Sequence, residues 1–385
     1  MNIAATILGA ALIFVVLKDA FEAVVLPRRV EGRFRISIWF YRLVGVPWFK
    51  LAGSVQSTRR RENLLSYFGP LSLILLLVLW AFGLILGFAL LQYSSGEHLH
   101  LAGQSVTFGT LVYLSGETFF TLGYGDIVPA SSISRALAVL EAGMGFAFLG
   151  IVVGYLPTIY SAFSRREVQI SLLDAYAGSP PTATELLGRL GSSEQRLLDQ
   201  LFRDWEKTAG DVLESHISYP PLCFFRSQHR NQSWLAALTA ILDATSLVIA
   251  GVEGVTSDQA RLTFSMARHA LVDLAQLVNA RYDPNYPDRL SAEEALRLRQ
   301  GLSERGLELN QGAEFEQKLM TLRTMYEPYA HAIGRALVMA LPPWIAAEQK
   351  RDNWQVAPWD RAIQASSLAG LGHHAETRKR LEDHF

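Results

Sequence analysis

The sequence predicts an all-α integral membrane protein with a second, soluble helical part, and three observations carry that prediction. Three apolar runs, at roughly 2–26, 66–93 and 134–163, each reach the ~20 residues a helix needs to cross a bilayer. All three fall within residues 1–164, whereas residues 165–385 are mixed in polarity and helix-forming, with clear breaks at the prolines of 179–181 and 283–287. Between the second and third runs lies TLGYGD, Thr121 to Asp126, in which glycine alternates with bulky residues.

The first run is read as a retained span. It has no basic leading region, its apolar stretch is long, and a basic stretch follows it. That basic stretch holds Arg28, Arg29, Arg33, Arg35, Arg42, Lys50, Arg59, Arg60 and Arg61, while residues 94–133 contain no Lys or Arg. The positive-inside rule therefore predicts 28–65 in the cytoplasm, 94–133 outside, the N-terminus outside, and an inward exit of the third span at Arg165 and Arg166. Residues 36–53 are apolar, but Arg42, Pro47 and Lys50 interrupt them. They are read as an amphipathic helix in the cytoplasmic interface, with Trp39, Tyr41 and Trp48 at headgroup depth, rather than as a fourth span. Lys18, Asp19 and Glu22, at the end of the first span, read as an ion-paired helix end. A polar coupling point to a gate is the alternative.

The net charge of −1 carries no basic footprint for nucleic acid. The single cysteine, Cys223, excludes an intrachain disulfide and suits a cytoplasmic soluble part.

Non-helical chain at membrane depth is tolerated only against protein or a water-filled path. TLGYGD has a use there. Gly123 and Gly125 take positive φ at little steric cost. Alternating handedness turns successive carbonyls to one side, and four such strands make stacked oxygen rings that replace a cation's water shell. The Thr121 hydroxyl adds a ring, and Leu122 and Tyr124 turn away to pack against a supporting wall.

In its surroundings of span, short helix at about 107–120, TLGYGDIVP and span, the chain resembles the potassium channels, whose common filter form is TVGYGD. Leu122 stands where that form has valine. The resemblance covers roughly 66–160. It implies an outer helix, pore helix, filter and inner helix, potassium as the permeant ion at the filter oxygens of Thr121, Leu122, Gly123, Tyr124 and Gly125, and no cofactor. A carbonyl-ring filter needs four strands and this chain has one, so the expected assembly is a homotetramer in a lipid bilayer.

The pore helix would point the negative end of its dipole at the cavity, favouring a cation there. Glu117 lies nine residues before Asp126. In some bacterial potassium channels acids at these positions pair behind the filter, which here implies one neutral carboxyl; the alternative places Glu117 in the outer vestibule. Family members often brace the filter tyrosine with two tryptophans, where this chain has Tyr113 and Leu114. The lighter cuff opens a second reading, a weakly selective cation channel.

The third span is long enough, at ~45 Å, to extend past the bilayer core. Gly145, twenty residues after Gly125, matches the family's hinge glycine, and Pro157 favours a second bend. Close packing of small residues is the competing role for the glycines. Glu141 is expected either to line the cavity and concentrate cations or to pair with a neighbouring subunit. No span carries the regularly spaced arginines of a voltage sensor.

In the soluble half, helices are expected near 182–214, 232–253, 256–281, 291–306 and 313–341. The apolar runs at 235–255 and 330–347 are read as buried bundle helices, since Asp243 interrupts the first and Arg335 and Pro342-Pro343 the second. No GxGxxG after a strand, cyclic-nucleotide barrel, P-loop or nucleophile–base constellation is present, so no enzyme is expected. The stretch SHISYPPLCFFRSQHR, with His216, Arg226, His229 and Arg230, reads first as a helix–helix elbow and second as a pocket for an unknown cytoplasmic ligand or a subunit contact. Cys223 reads as a core thiol. His98 and His100 read as solvated rather than pH-sensing.

The expected organisation is an N-terminal span and interfacial helix (1–65), a pore module (66–164), a helical cytoplasmic domain (165–357) that modulates opening, and a flexible tail (358–385). A tethered helical binding module with a vestigial pore is the alternative from another class.

Overall fold

The computed structural model describes residues 2–26, 35–95, 99–100, 107–190, 195–229, 231–282 and 284–346. Arg28, Arg29, Arg33, His98, Arg230 and the expected tail lie outside these. The chain divides into two compact units, Met1–Ser161 and Ala162–Phe385.

The first unit opens with α1 (Ile3–Ala20), whose first turn is capped by the Asn2 side chain, and a π-helical turn over Phe21–Val25. α2 spans Ile36–Ser54 and α3 spans Thr58–Ser94. α4 (Phe108–Phe119) begins at a capping box in which Thr107 and Thr110 exchange hydrogen bonds. α5 (Ser132–Ala177) follows the TLGYGD segment and runs unbroken into the second unit. A two-residue pairing of β1 (Leu99–His100) with β2 (Val128–Pro129) completes the outer connection.

Small residues let α1 lie close on α3. A Cβ at Gly9 would stand 2.7 Å from the Gly87 carbonyl oxygen, and one at Gly83 would stand 2.8 Å from Val16. Without a hydrophobic driving force between helices in lipid, such backbone approach supplies the packing. The core between them gathers Val16, Leu76, Leu77, Trp80, Leu84 and Phe119.

Asp19 fastens the lower end of this pair. Its carboxylate accepts from the Ser37 N–H and hydroxyl, each at 3.0 Å, and from the Trp80 indole N–H at 2.8 Å, with Arg35 Nε 3.8 Å away. The expected ion-paired helix end is thus a knot joining α1, α2 and α3. Lys18 and Glu22 form the looser i,i+4 pair beside it.

α2 packs Phe49 and Trp48 on Phe68, with ring centroids 4.8 and 5.9 Å apart, and the Trp48 indole donates to the Leu64 carbonyl. Trp39, Leu43, Val46 and Leu51 stay exposed. Trp48 and Tyr41 therefore turn toward α3, leaving Trp39 as the outward aromatic. α2 is not among the four helices long and apolar enough to cross a membrane, which are Ile3–Val24, Thr58–Ser94, Ser132–Ala177 and Trp234–Gly251.

The last of these, α8 (Trp234–Gly251), is buried along nearly its whole length within the second unit. Around it lie α6 (Ala183–Leu190), α7 (Gln195–Ser218), α9 (Asp258–Leu277), α11 (Ala313–Thr324) and α12 (Glu327–Leu337); α10 (Ala292–Ser303) packs on α6. The expected single helix at 313–341 divides before α12 because Pro328 has no N–H to continue the ladder. Asp243, at the centre of α8, is bound by Arg289 at 2.6 and 3.1 Å and by the Tyr326 hydroxyl at 2.5 Å. Burial works against the Arg289 charge, but Asp243, Tyr326 and Glu327 outweigh it and push the guanidinium above its ordinary range. Arg289 and Arg323 also face the Trp344 ring, at 5.6 and 5.5 Å.

Candidate functional site

The site is the turn that follows α4. As the helix ends, the N–H groups of Phe120, Thr121 and Leu122 bond back to the carbonyls of Gly116, Thr118 and Glu117, at 3.0, 3.1 and 2.8 Å. The chain then leaves the helix with positive φ at every second residue, 55° at Thr121, 61° at Gly123 and 77° at Gly125. Left-handed conformation costs a β-branched residue energy, and it recurs here in register with the two glycines. Leu122 is 56% exposed and Tyr124 70% exposed. Within one chain, the wall expected to receive them is not provided.

Glu117 is 5% exposed, so it does not face an open vestibule. Its carboxylate accepts from the Tyr124 backbone N–H, and its Oε2 has no hydrogen-bond partner. The Tyr113 hydroxyl bonds the Asp126 carboxylate. Tyr113, Glu117, Tyr124 and Asp126 thus form one cluster beside the turn, with the tyrosine making the polar contact to Asp126.

The other anchors of the turn come from the neighbouring helices. Gln92 on α3 and Ser134 on α5 exchange two hydrogen bonds, at 3.1 and 2.5 Å, fixing the C-terminal end of α3 to the N-terminal end of α5. Gly145 meets the C-terminal end of α4 so closely that a Cβ there would lie 1.9 Å from the Phe119 carbonyl oxygen. The packing role of Gly145 is therefore explicit. α5 is helical through both Gly145 and Pro157, with the Thr158 hydroxyl bonding the Gly154 carbonyl beside the proline.

Glu141 departs from expectation. It is 1% exposed and bonds the Ser115 hydroxyl of α4. Its own chain encloses it, so it neither lines a cavity nor reaches a neighbouring subunit.

In the second unit, the described candidate residues of the 215–230 stretch, His216, Arg226 and His229, do not converge on one site. His216 and Arg226 make separate internal contacts. Arg226 donates to the carbonyls of Leu337 and Val338, while His229 is exposed. His216 joins Arg166, which the sequence marks only as part of the basic exit of the third span and which is buried at 2% exposure. Arg166 donates to His216 Nε2 at 3.1 Å, to the carbonyls of Leu222 and Phe225 at 3.0 and 2.9 Å, and to Glu167. Because arginine only donates, His216 accepts at Nε2 and carries its proton on Nδ1, toward Ser215. Burial, with Arg166 beside it, holds His216 well below the usual imidazole range. Burial pushes the Cys223 thiol up to about 12, which makes it an inert core residue. The stretch is an elbow clamped to the C-terminal part of α5.

Residues 74–161 match the model of a family described as "Ion channel". The match takes in most of α3, all of α4, the Thr121–Asp126 turn and α5 through the site. The chain is similar to "Uncharacterized membrane protein YdjJ" of Bacillus subtilis (strain 168), 26% identical over 194 residues, which are 49% of this chain and 56% of the relative. It is also similar to "Protein LctB" of Geobacillus stearothermophilus, 29% identical over 123 residues, 29% of this chain and 91% of the relative. The chain thus spans about half the length of the Bacillus relative it matches. No solved structure matches. With its apolar helices, the chain is a membrane protein in which residues 74–161 are similar to an ion-channel family.

Proposed function

We propose that the chain is one subunit of a homotetrameric, potassium-selective channel, and that the carbonyls of Thr121 to Gly125 coordinate the permeant ion. The alternation of left-handed φ at Thr121, Gly123 and Gly125 is the observation that carries this reading. It gives each subunit one strand of a carbonyl ring, and four strands about an axis replace a cation's hydration shell. The exposure of Leu122 and Tyr124 in a single chain supports the same assembly, since a second copy would cover them. In this reading the N-terminus lies outside and the second unit in the cytoplasm, as the arginines at 28–61 favour. The second unit modulates opening through the inner end of α5. The chain is not an enzyme and uses no cofactor.

A weakly selective cation channel is the second reading. Tyr113 favours it, because one phenol hydroxyl on Asp126 replaces the heavier indole bracing of the resembled family. Cation flux through purified protein in liposomes, with potassium and sodium at matched gradients, separates the two. Potassium flux that greatly exceeds sodium flux and vanishes in Gly123→Asp is the expected result. Equal fluxes would establish the second reading, and the absence of flux from protein lacking residues 170–385 as well as from the full chain would remove both.

A further inference from the structure

Asp19 on α1 and Glu141 in the apolar part of α5 are both buried acids. Asp19 has three N–H or O–H donors and a nearby arginine, which suits a carboxylate. Glu141 has nothing of the kind. Its hydrogen-bond partner is Ser115, and neither a cation nor a second acid acts on it.

Ser115 is fully buried between two oxygens, the Glu141 carboxyl and the Ile85 main-chain carbonyl of α3, the latter 3.0 Å from its Oγ. A serine hydroxyl has one proton to give. If that proton goes to Glu141, the contact with Ile85 becomes two oxygens with no hydrogen between them. If it goes to Ile85, the contact with Glu141 requires the carboxyl to supply the proton. Only the second arrangement satisfies both contacts, and it also avoids an unpaired carboxylate in an apolar surrounding.

We propose that Glu141 is a protonated positioning residue: its carboxylic acid donates to Ser115, which donates to Ile85, and the relay ties α5, α4 and α3 together behind the filter. The relay is one of two grips. Residues 141 and 145 are one turn apart on α5, and residues 115 and 119, their partners, are one turn apart on α4. The inner helix therefore holds the pore helix by a polar contact and by a glycine contact in succession. The second ends two residues before Thr121. A change in the first shifts the direction in which α4 delivers the filter carbonyls.

The functional consequence rests on the channel reading proposed above, whereas the protonation does not. Difference infrared spectra of the purified full-length protein against Glu141→Gln test the protonation. A protonated-carboxyl stretch present at neutral pH in the parent protein and missing from Glu141→Gln is expected; loss of carboxylate bands instead would overturn the proposal, whatever the protein conducts.

The positioning role is tested by potassium-over-sodium flux. Glu141→Gln keeps a donor of the same shape and is expected to match the parent. Ser115→Ala, a small change that should fold, is expected to lower the selectivity ratio about two- to tenfold, the worth of a hydrogen bond. Parent-like selectivity in Ser115→Ala, or its loss in Glu141→Gln, would overturn the role. A parent protein that does not discriminate between the ions would remove the channel reading and leave the infrared result standing.

Discussion

Both units bury an acid in the middle of an apolar helix, and they neutralise it by different means. In the second unit Asp243 is matched by Arg289, with Tyr326 completing its shell. In the first unit Glu141 has only a hydroxyl for company. The second unit can bring an arginine from a loop near 289 across to α8. A bilayer-spanning helix has mostly apolar neighbours, and a lone carboxyl there is most cheaply held neutral. The same residue chemistry thus serves as an ion pair in one region and as a hydrogen-bond donor in the other.

The acid-to-amide change should therefore have unequal costs in the two units. Asp243→Asn leaves Arg289 facing fewer charges and is expected to cost about 3–5 kcal/mol in the stability of the second unit, read as a lowered denaturant midpoint. Glu141→Gln is expected to leave thermal stability almost unchanged. Equal losses in both would mean that Glu141 is ionised.

The glycines of α5 give the next largest contrast. Gly145→Ala would drive a methyl into the Phe119 carbonyl and is expected to destabilise the protein by about 1–3 kcal/mol, whereas at Gly143 a Cβ meets nothing within 4 Å. Gly143→Ala should be neutral or gain up to ~1 kcal/mol from helix propensity. Thermal unfolding of the two variants side by side decides between a packing glycine and a freely tolerant one.

A smaller effect is expected from pH. The folded-state pKa of His216 lies below its unfolded value of about 6.5, so the unfolded chain binds the extra proton first. This contribution is fully present above that pH and is lost as pH falls below it, by at most about 1.4 kcal/mol per unit. The melting temperature should fall on acidification, and less steeply in His216→Gln, whose amide oxygen can still accept from Arg166. Identical slopes would place a charged histidine in the folded state. Finally, Ser291→Ala removes the capping box of α10 and is expected to cost about 1 kcal/mol, measurable as a small shift of the same melting curve.

Much of this architecture is legible in the chain itself. The three long spans, the short helix before TLGYGD and the buried character of α8 follow from apolar run length and from where single charges interrupt it. The turn at Thr121–Asp126 is legible because its glycines alternate, and that alternation permits the positive φ found at Gly123 and Gly125. The partners of the buried polar groups are not legible. Ser115 and Glu141 are 26 residues apart, Arg166 and His216 are 50 apart, and Asp19 and Trp80 are 61 apart. Helical periodicity says which face such residues share, but only the packed fold says which other face meets it. Glu141 was visible as an anomaly in an apolar span. The signal available for its partner was weak: a serine on the apolar side of the short helix, four residues before the phenylalanine that Gly145 abuts.

The most direct test of the account replaces Gly123 by D-alanine and, separately, by L-alanine, and compares potassium-over-sodium flux in liposomes. A Cβ at Gly123 meets nothing within 4 Å in the chain, so any difference between the two reports the φ of +61° rather than a clash. The account predicts selective potassium flux with D-alanine, which adopts that conformation without strain, and its loss with L-alanine. Equal behaviour of the two, whether selective or not, would contradict a filter built on alternating handedness.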